Sequence, residues 1–369
     1  MKKLKDKIKI ALKDYPKIQL WAKAAYYSKM PYEGVHLLCY RKGKSVLERY
    51  SALSVGPEEV EVETFLTAIS TGTEKAMFIQ SPGAIRDFPY IPGSSGVGRV
   101  TKIGSKVNNI NIGDSVVGLF RHGSKEVFPV NTIVKLNDDI DLESASLLYL
   151  ALIALQGIRM GRIGPNYKIA IMGQGVIGRL ATVLARGLGG DVICITGTHK
   201  KLVFFGEKNG IALCDEDAKE KIKEVNAEVV IDATGNPDAI NTAIDIAGEG
   251  GKIVLLGSNR GITHELDPSG ETGKKRLTIV GAHIRNISKM PSHIGNDLLS
   301  EINMIQNLIM NKKLSLKEII SKRITCEELS SFYNKGLTQD DKLGVVLVDW
   351  KDSNILLNKL KKNSLHYIN

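Results

Sequence analysis

The sequence predicts an α/β protein of two domains, an antiparallel β-barrel or sandwich followed by a doubly wound parallel sheet of six strands. Three observations carry that prediction. Lys168-Ile-Ala-Ile-Met-Gly-Gln-Gly-Val-Ile-Gly178 is a short apolar run delivered straight into Gly173-x-Gly175-x-x-Gly178. Behind the turn, Ile177, Leu180, Ala181, Leu184, Ala185 and Leu188 recur at three- and four-residue steps, one face of a helix. From about residue 165 to 285 strand and helix patterns alternate, whereas before residue 135 short alternating runs follow one another with no room for crossover helices.

Taken in order, residues 1–33 form a Lys-rich preface in which Leu4, Ile8 and Leu12 share a helical face before Pro16 interrupts. Such a basic amphipathic segment either lies on an anionic membrane or is solvated, or docked on its own dimer. The irregular apolar spacing favours the second reading. Val60–Leu66 alternates faces as a half-buried strand, and 98–103 and 115–120 are further strands punctuated by Gly113-Asp114. The parallel strands are expected at 168–172, 191–196, 211–214, 228–234, 252–257 and 277–282. Residues 290–350 return to helix and short strands, ending in Leu343-Gly-Val-Val-Leu-Val-Asp-Trp350.

Bulk properties narrow the function. The chain of 369 residues exceeds one ordinary core, and its 43% hydrophobic content suits a folded protein. The +10 charge sits at the ends: residues 1–44 hold twelve Lys/Arg against three Asp/Glu, and 351–369 hold four against one. The body is therefore slightly acidic and lacks the basic stripe of a nucleic-acid binder. No apolar run is long enough to span a bilayer, and the first residues lack the apolar centre of a secretory signal. Cys39, Cys194, Cys214 and Cys326 are far apart, as buried thiols in a reducing compartment are, so a cytoplasmic setting is expected.

The glycine turn puts free backbone N–H groups, including those of Val176 and Ile177, and the positive end of a helix where a dinucleotide's pyrophosphate can sit. Further segments occur in order: Ile69-Ser-Thr-Gly-Thr-Glu74, Ile91-Pro-Gly-Ser-Ser-Gly-Val-Gly-Arg-Val100, Ile112-Gly-Asp-Ser-Val-Val117, Val229-Val-Ile-Asp-Ala-Thr-Gly-Asn-Pro237 and Gly250–Gly257. Together they resemble the medium-chain dehydrogenase/reductase superfamily, over roughly residues 35–350. Ser-Thr-Gly-Thr-Glu and Ala154-Leu-Gln-Gly-Ile158 resemble a smaller branch that includes bacteriochlorophyllide dehydrogenases and dehydrogenase-like proteins associated with polysaccharide biosynthesis. The resemblance implies a GroES-like β-barrel catalytic domain and a Rossmann sheet. It divides the chain into a basic extension (1–33), the catalytic domain (34–160), the nucleotide domain (161–287), a return segment (288–350) and a basic tail (351–369). It also implies a homo-oligomer, dimer or tetramer, in which Leu277–Val280 is a candidate pairing edge.

Zinc members of this superfamily resemble the chain in their motifs but not in their ligands. Thr71 or Ser70 stands at the cysteine place, Ser94 at the histidine place, Ser95 at the neighbouring glutamate and Leu152 near the third ligand. Neutral hydroxyls and a leucine do not hold Zn²⁺ against water. No metal is therefore expected, and His122 and Glu126 are read as members of a solvated loop.

Hydride transfer without a metal needs another means of polarising the substrate oxygen and moving its proton. Thr71, Thr73, Glu74 and Ser94 are the candidates. Thr73 matches the proton-relaying Ser/Thr of the zinc relatives, and Glu74 is either a desolvated base or a structural acid. Gln156 is placed beside the nicotinamide by the resemblance. Tyr149 reads as a core residue, and His283 falls at the strand edge where ligands sit. Thr234, Gly235 and Gly257 complete the expected cofactor set.

An NAD-preferring fold ends its second strand in an acid. Here the strand ends in Thr196-Gly-Thr-His-Lys-Lys201. Thr196, Thr198, His199 and Lys200 suit a 2′-phosphate, so NADP is preferred over NAD. The expected activity is oxidation or reduction of an alcohol, ketone or sugar derivative. Enoyl or quinone reduction and a catalytically inactive nucleotide-binding scaffold are the alternatives.

Overall fold

In the computed structural model, six parallel strands lie side by side in the order 210–212, 191–196, 168–172, 227–232, 247–255 and 278–281, with the glycine-turn strand third. The structure describes residues 32–51, 54–204, 206–208, 210–257, 261–263, 266, 269–283, 297–338 and 344–362. The basic preface, and with it the membrane reading, lies outside them, as do residues 363–369 of the tail.

The chain opens with a hairpin, β1 (Tyr32–Arg41) and β2 (Lys44–Ser51). β3 (Glu59–Ile69), α1 (Thr71–Phe78), β4 (Ser95–Ile103), β5 (Ser115–Gly118), β6 (Lys125–Pro129) and β7 (Ile133–Lys135) follow. Two consecutive helices, α2 (Leu142–Ser146) and α3 (Leu148–Gly161), lead into the parallel sheet. That sheet alternates β8 (Lys168–Met172), α4 (Val176–Gly187), β9 (Asp191–Thr196), α5 (His199–Phe204), β10 (Gly210–Ala212) and α6 (Ala218–Val225). It continues with β11 (Ala227–Asp232), α7 (Ala239–Ile246), β12 (Ala247–Leu255) and β13 (Thr278–Gly281). The chain then runs through α8 (Leu298–Met310), β14 (Ile320–Thr325), β15 (Val345–Asp349) and α9 (Ser353–Lys362).

All six expected parallel strands are present within a few residues of their predicted bounds. The exception worth noting is 211–214, where the strand stops at Ala212 and a turn from Asp215 N–H to Ala212 C=O leaves Cys214 beyond it. The first domain corrects one expectation. Its seven-stranded sheet is mixed, because β14 and β15 pair in parallel before β15 pairs antiparallel with β3, Val346 opposite Ile69 and Asp349 opposite Leu66. That pairing brings the last strand back to the first domain. Within the basic tail, 353–362 is a helix whose Leu356 and Leu357 are buried with Val35, Tyr333 and Trp350.

Sequence dictates both ends of α4. Gly175 caps its start, and its end is a Schellman closure: Gly189, at φ +86°, donates to Arg186 C=O and Gly190 to Ala185 C=O. Leu180, Ala181, Leu184 and Ala185 are fully buried, as the spacing predicts. Each leucine contributes about 1.5–3 kcal/mol by leaving water. One apolar core runs from Leu66 and Val97 of the first sheet through α3 to Ile169 and Ile171 of the second. α3 is buried over most of its surface because both sheets cover it.

Candidate active site

Glu74 is the centre of a polar network that is buried except at Ser94. It lies in the first turn of α1, and neither it nor His122 has any exposed surface. Its Oε1 accepts from Ser70 N–H at 2.8 Å and from the Ser94 hydroxyl at 2.9 Å. Its Oε2 accepts from His122 Nε2 at 2.9 Å and from the Tyr333 hydroxyl. Four donors fill the four lone-pair sites of an ionised carboxylate. Burial works against that charge, yet the His122 ring and the donated hydrogen bonds outweigh it and hold the carboxyl below the usual glutamate range. The same burial, with the Glu74 charge alongside, pushes the Tyr333 hydroxyl well above an ordinary tyrosine.

The network continues inward. His122 Nδ1 lies 2.8 Å from Thr67 Oγ1, which also accepts from Trp350 Nε1 at 3.0 Å. The ring thus bridges Glu74, through Nε2, and the Thr67 hydroxyl, through Nδ1. The solvated-loop expectation for His122 is therefore corrected. The loop is roofed by β1, with Leu37 N–H donating to His122 C=O and Ser124 N–H to Val35 C=O. Glu126 is likewise nearly buried, its carboxylate taken by the backbone N–H and guanidinium of Arg121.

The other hydroxyls are tied up differently. Thr71 Oγ1 donates to Gly344 C=O at 3.3 Å, and the buried Ser95 donates to Ser146 C=O at 2.6 Å. Thr73 is exposed and Ser94 half-buried. Tyr149 is half-buried against the main core. Gln156 is 2% exposed, and its Nε2 has no hydrogen-bond partner. Its neighbour Gly157 explains where it sits: a Cβ there would lie 2.9 Å from the Leu256 side chain, at the carboxyl end of β12.

The glycine turn sits at the carboxyl ends of the parallel strands. Gly173 has φ +83°, and Gly173 N–H donates to Ile195 C=O at 2.7 Å. At Gly178 a Cβ would collide with Gly173 C=O, whereas at Gly175 it would meet nothing within 4 Å. Helix α4 starts there with no side chain capping its first N–H groups, while the Val176 and Ile177 side chains turn toward the core. Thr234 backs Gly173, and Gly257 packs on Gly235. The buried Asp232 fixes that corner by accepting from Thr234 N–H and hydroxyl at 2.9 and 2.6 Å.

At the next strand, Thr196 turns its hydroxyl inward to Thr198 C=O at 2.7 Å, while Thr198, His199 and Lys200 are exposed. His199 Nε2 pairs with Asp215 Oδ1 at 2.6 Å. His283 is exposed just beyond edge strand β13. The structure thus gathers Thr71, Thr73, Glu74 and Ser94 around α1 and β4. It gathers Gly173, Gly175, Gly178, Thr234, Gly235 and Gly257 at the sheet edge. Sequence reasoning missed Tyr333, Thr67, Trp350 and Asp215, which no local motif marks.

With this geometry in place, the comparisons with known proteins fall into line. Residues 176–300 match the family model of zinc-binding dehydrogenases. L-galactonate-5-dehydrogenase of Escherichia coli K12 is 28% identical over 178 residues, 46% of this chain. That match spans 52% of the relative, about half its length. L-idonate 5-dehydrogenase of Vitis vinifera is 22% identical over 57% of this chain and 70% of its own. Among solved structures, galactitol-1-phosphate dehydrogenase of Escherichia coli superimposes with a TM-score of 0.74 at 18% identity, covering 85% of this chain and 99% of that one. A short chain alcohol dehydrogenase of Escherichia coli CFT073 complexed with NADH gives 0.74 at 15% identity, over 86% and 100%. The fold is that of these dehydrogenases, a GroES-like barrel joined to a Rossmann sheet.

Proposed function

We propose that the chain is a nicotinamide-dependent oxidoreductase of the medium-chain type, acting on an alcohol, ketone or sugar derivative without a catalytic metal. The glycine turn carries this reading. Gly175 leaves open space in front of an uncapped twelve-residue helix, which is the cradle a diphosphate fills. The two curated relatives are named for the sugar acids L-galactonate and L-idonate, which supports the substrate class. The division into catalytic domain (34–160 and 288–350) and nucleotide domain (161–287) is part of the proposal, as are cytoplasmic setting and pairing through β13.

The residues fit the cofactor. Gly173, Gly175, Val176, Ile177 and Gly178 would hold the diphosphate, with Thr234, Gly235 and Gly257 walling it. Thr198, His199 and Lys200 would take the adenosine ribose, favouring its 2′-phosphorylated form, and His283 lies at the opposite end of the sheet. The unpartnered Gln156 Nε2 suits the carboxamide of the nicotinamide, the group that takes up or gives back the hydride when the cofactor is bound.

The residues at the family's metal position do not fit zinc. Thr71 and Ser95 spend their hydroxyls on backbone carbonyls, Ser94 spends its own on Glu74, and Leu152 offers no donor atom. Proton handling then falls to the side chains themselves. Ser94 Oγ, its proton directed at Glu74 Oε1, keeps lone pairs for a substrate hydroxyl. The ionised Glu74 holds the Ser94 proton and so turns the serine lone pairs toward the substrate hydroxyl, which they orient as its proton leaves by way of the exposed Thr73 to solvent. His122, Tyr333 and Ser70 N–H hold that carboxylate in one orientation.

Calorimetry with NADPH and NADH, followed by turnover on a polyol and sugar-acid panel, tests the reading. Binding of neither nucleotide overturns it.

A further inference from the structure

We infer that His199, Cys214 and Asp215 form a second site, one that takes a zinc-class divalent metal at the outer edge of the nucleotide sheet. His199 begins α5 directly after β9, while Cys214 and Asp215 follow β10, the parallel neighbour of β9. The pairing of the two strands thus brings together residues fifteen and sixteen positions apart. One ligand atom from each lies within 4.8 Å of the others. Among the described residues this is the sole group of three or more metal-ligating side chains so converged.

The donor set and spacing suit the metal. Thiolate, imidazole and carboxylate together select Zn²⁺ or its relatives over Ca²⁺ and Mg²⁺, which take oxygen donors. Bonds of about 2.0–2.3 Å in a tetrahedron put ligand atoms roughly 3.3–3.8 Å apart. Cys214 Sγ to Asp215 Oδ1, at 3.9 Å, lies just above that spacing. His199 Nε2 and Asp215 Oδ1, at 2.6 Å, must part by less than about 1 Å, which the exposed His199 side chain allows. Three protein ligands leave a fourth position for water. Binding replaces the thiol proton, which passes to solvent, with the metal.

Cys214 is singular among the four cysteines. Cys39, Cys194 and Cys326 are buried in apolar surroundings, and burial pushes their thiols up to about 12, 11 and 11. Cys214 alone is exposed. A metal–thiolate signal from this protein therefore reports this site.

The site overlaps the cofactor reading, because His199 Nε2 is offered to the metal and to a 2′-phosphate alike. This consequence rests on the proposed function; the metal site itself does not. Metal and NADPH then compete, and zinc availability regulates the enzyme.

Cobalt titration of the reduced full-length chain is the test, since Co²⁺ replaces Zn²⁺ and absorbs visibly. The expected result is one Co²⁺ per chain with a near-ultraviolet thiolate-to-cobalt band that zinc abolishes. Cys214→Ser removes the band, and Asp215→Asn weakens cobalt binding at least tenfold. No band at stoichiometric cobalt, or a band that survives Cys214→Ser, overturns the proposal. A parallel NADPH titration separates the two readings. Zinc should raise the apparent Kd for NADPH in the parent chain and leave it unchanged in Cys214→Ser. A cobalt band without NADPH binding removes only the cofactor reading.

Discussion

The phenolic hydroxyl of Tyr333 donates to Glu74 across 259 positions of sequence, in a pocket closed to solvent. Through that bond the return segment reaches back into the first turn of α1 and completes the coordination of the carboxylate that Ser94 leans on.

Removing the donor tests its weight. Tyr333→Phe leaves one lone pair of a buried carboxylate unserved, a loss of about 1–3 kcal/mol. Urea unfolding should show this as a lower midpoint with an unchanged slope. Glu74→Gln should cost more, about 3–5 kcal/mol, because it strips the charge from a buried partnership.

The pH dependence follows from the direction of the Glu74 shift. Its carboxyl is held below the ordinary value of 4.5, so the folded state favours the ionised form. The resulting stability is fully present above that value and is lost as pH falls through the lower, folded-state value. Unfolding midpoints of the parent chain should fall more steeply than those of Glu74→Gln when pH is taken below about 4.5.

Proton handling is assigned to hydroxyls, so Ser94→Ala should lower kcat by about 10²-fold, the lower end of general acid–base contributions. KM for the nucleotide should hardly change. If Ser94→Ala and Thr73→Ala both keep full turnover, the chemistry lies elsewhere.

Two glycines of the same turn should respond in opposite ways. Gly178→Ala forces a Cβ onto Gly173 C=O and should destabilise the fold. Gly175→Ala meets nothing in the protein and has an ordinary φ of −77°, so its Tm should hold. It intrudes on the cradle, and the nucleotide Kd should rise at least tenfold, as calorimetry would record.

Gln156 offers a similar separation. An amide nitrogen buried without a partner costs the free protein about 1–3 kcal/mol. Gln156→Leu should therefore raise the Tm of the nucleotide-free chain while weakening NADPH binding.

The sequence by itself determined the parallel sheet, the turn at Gly173–Gly178, the apolar face of α4 and the group Thr71–Glu74. Each is a local pattern: periodicity, turn chemistry and helix capping act over a few residues, and the chain spells them out in order. Only the tertiary structure decided what Glu74 is. Its partner Ser70 is local, but the others arrive from the residue before β4, the loop at His122 and the return segment, and no spacing along the chain encodes their convergence. For the same reason His122 read as a loop residue until β1 was seen to cover it. Cys214 read as a buried thiol until the pairing of β9 and β10 left it exposed beside His199 and Asp215. Burial and the meeting of distant donors are properties of packing, and they set both the charge of a carboxylate and the identity of a site.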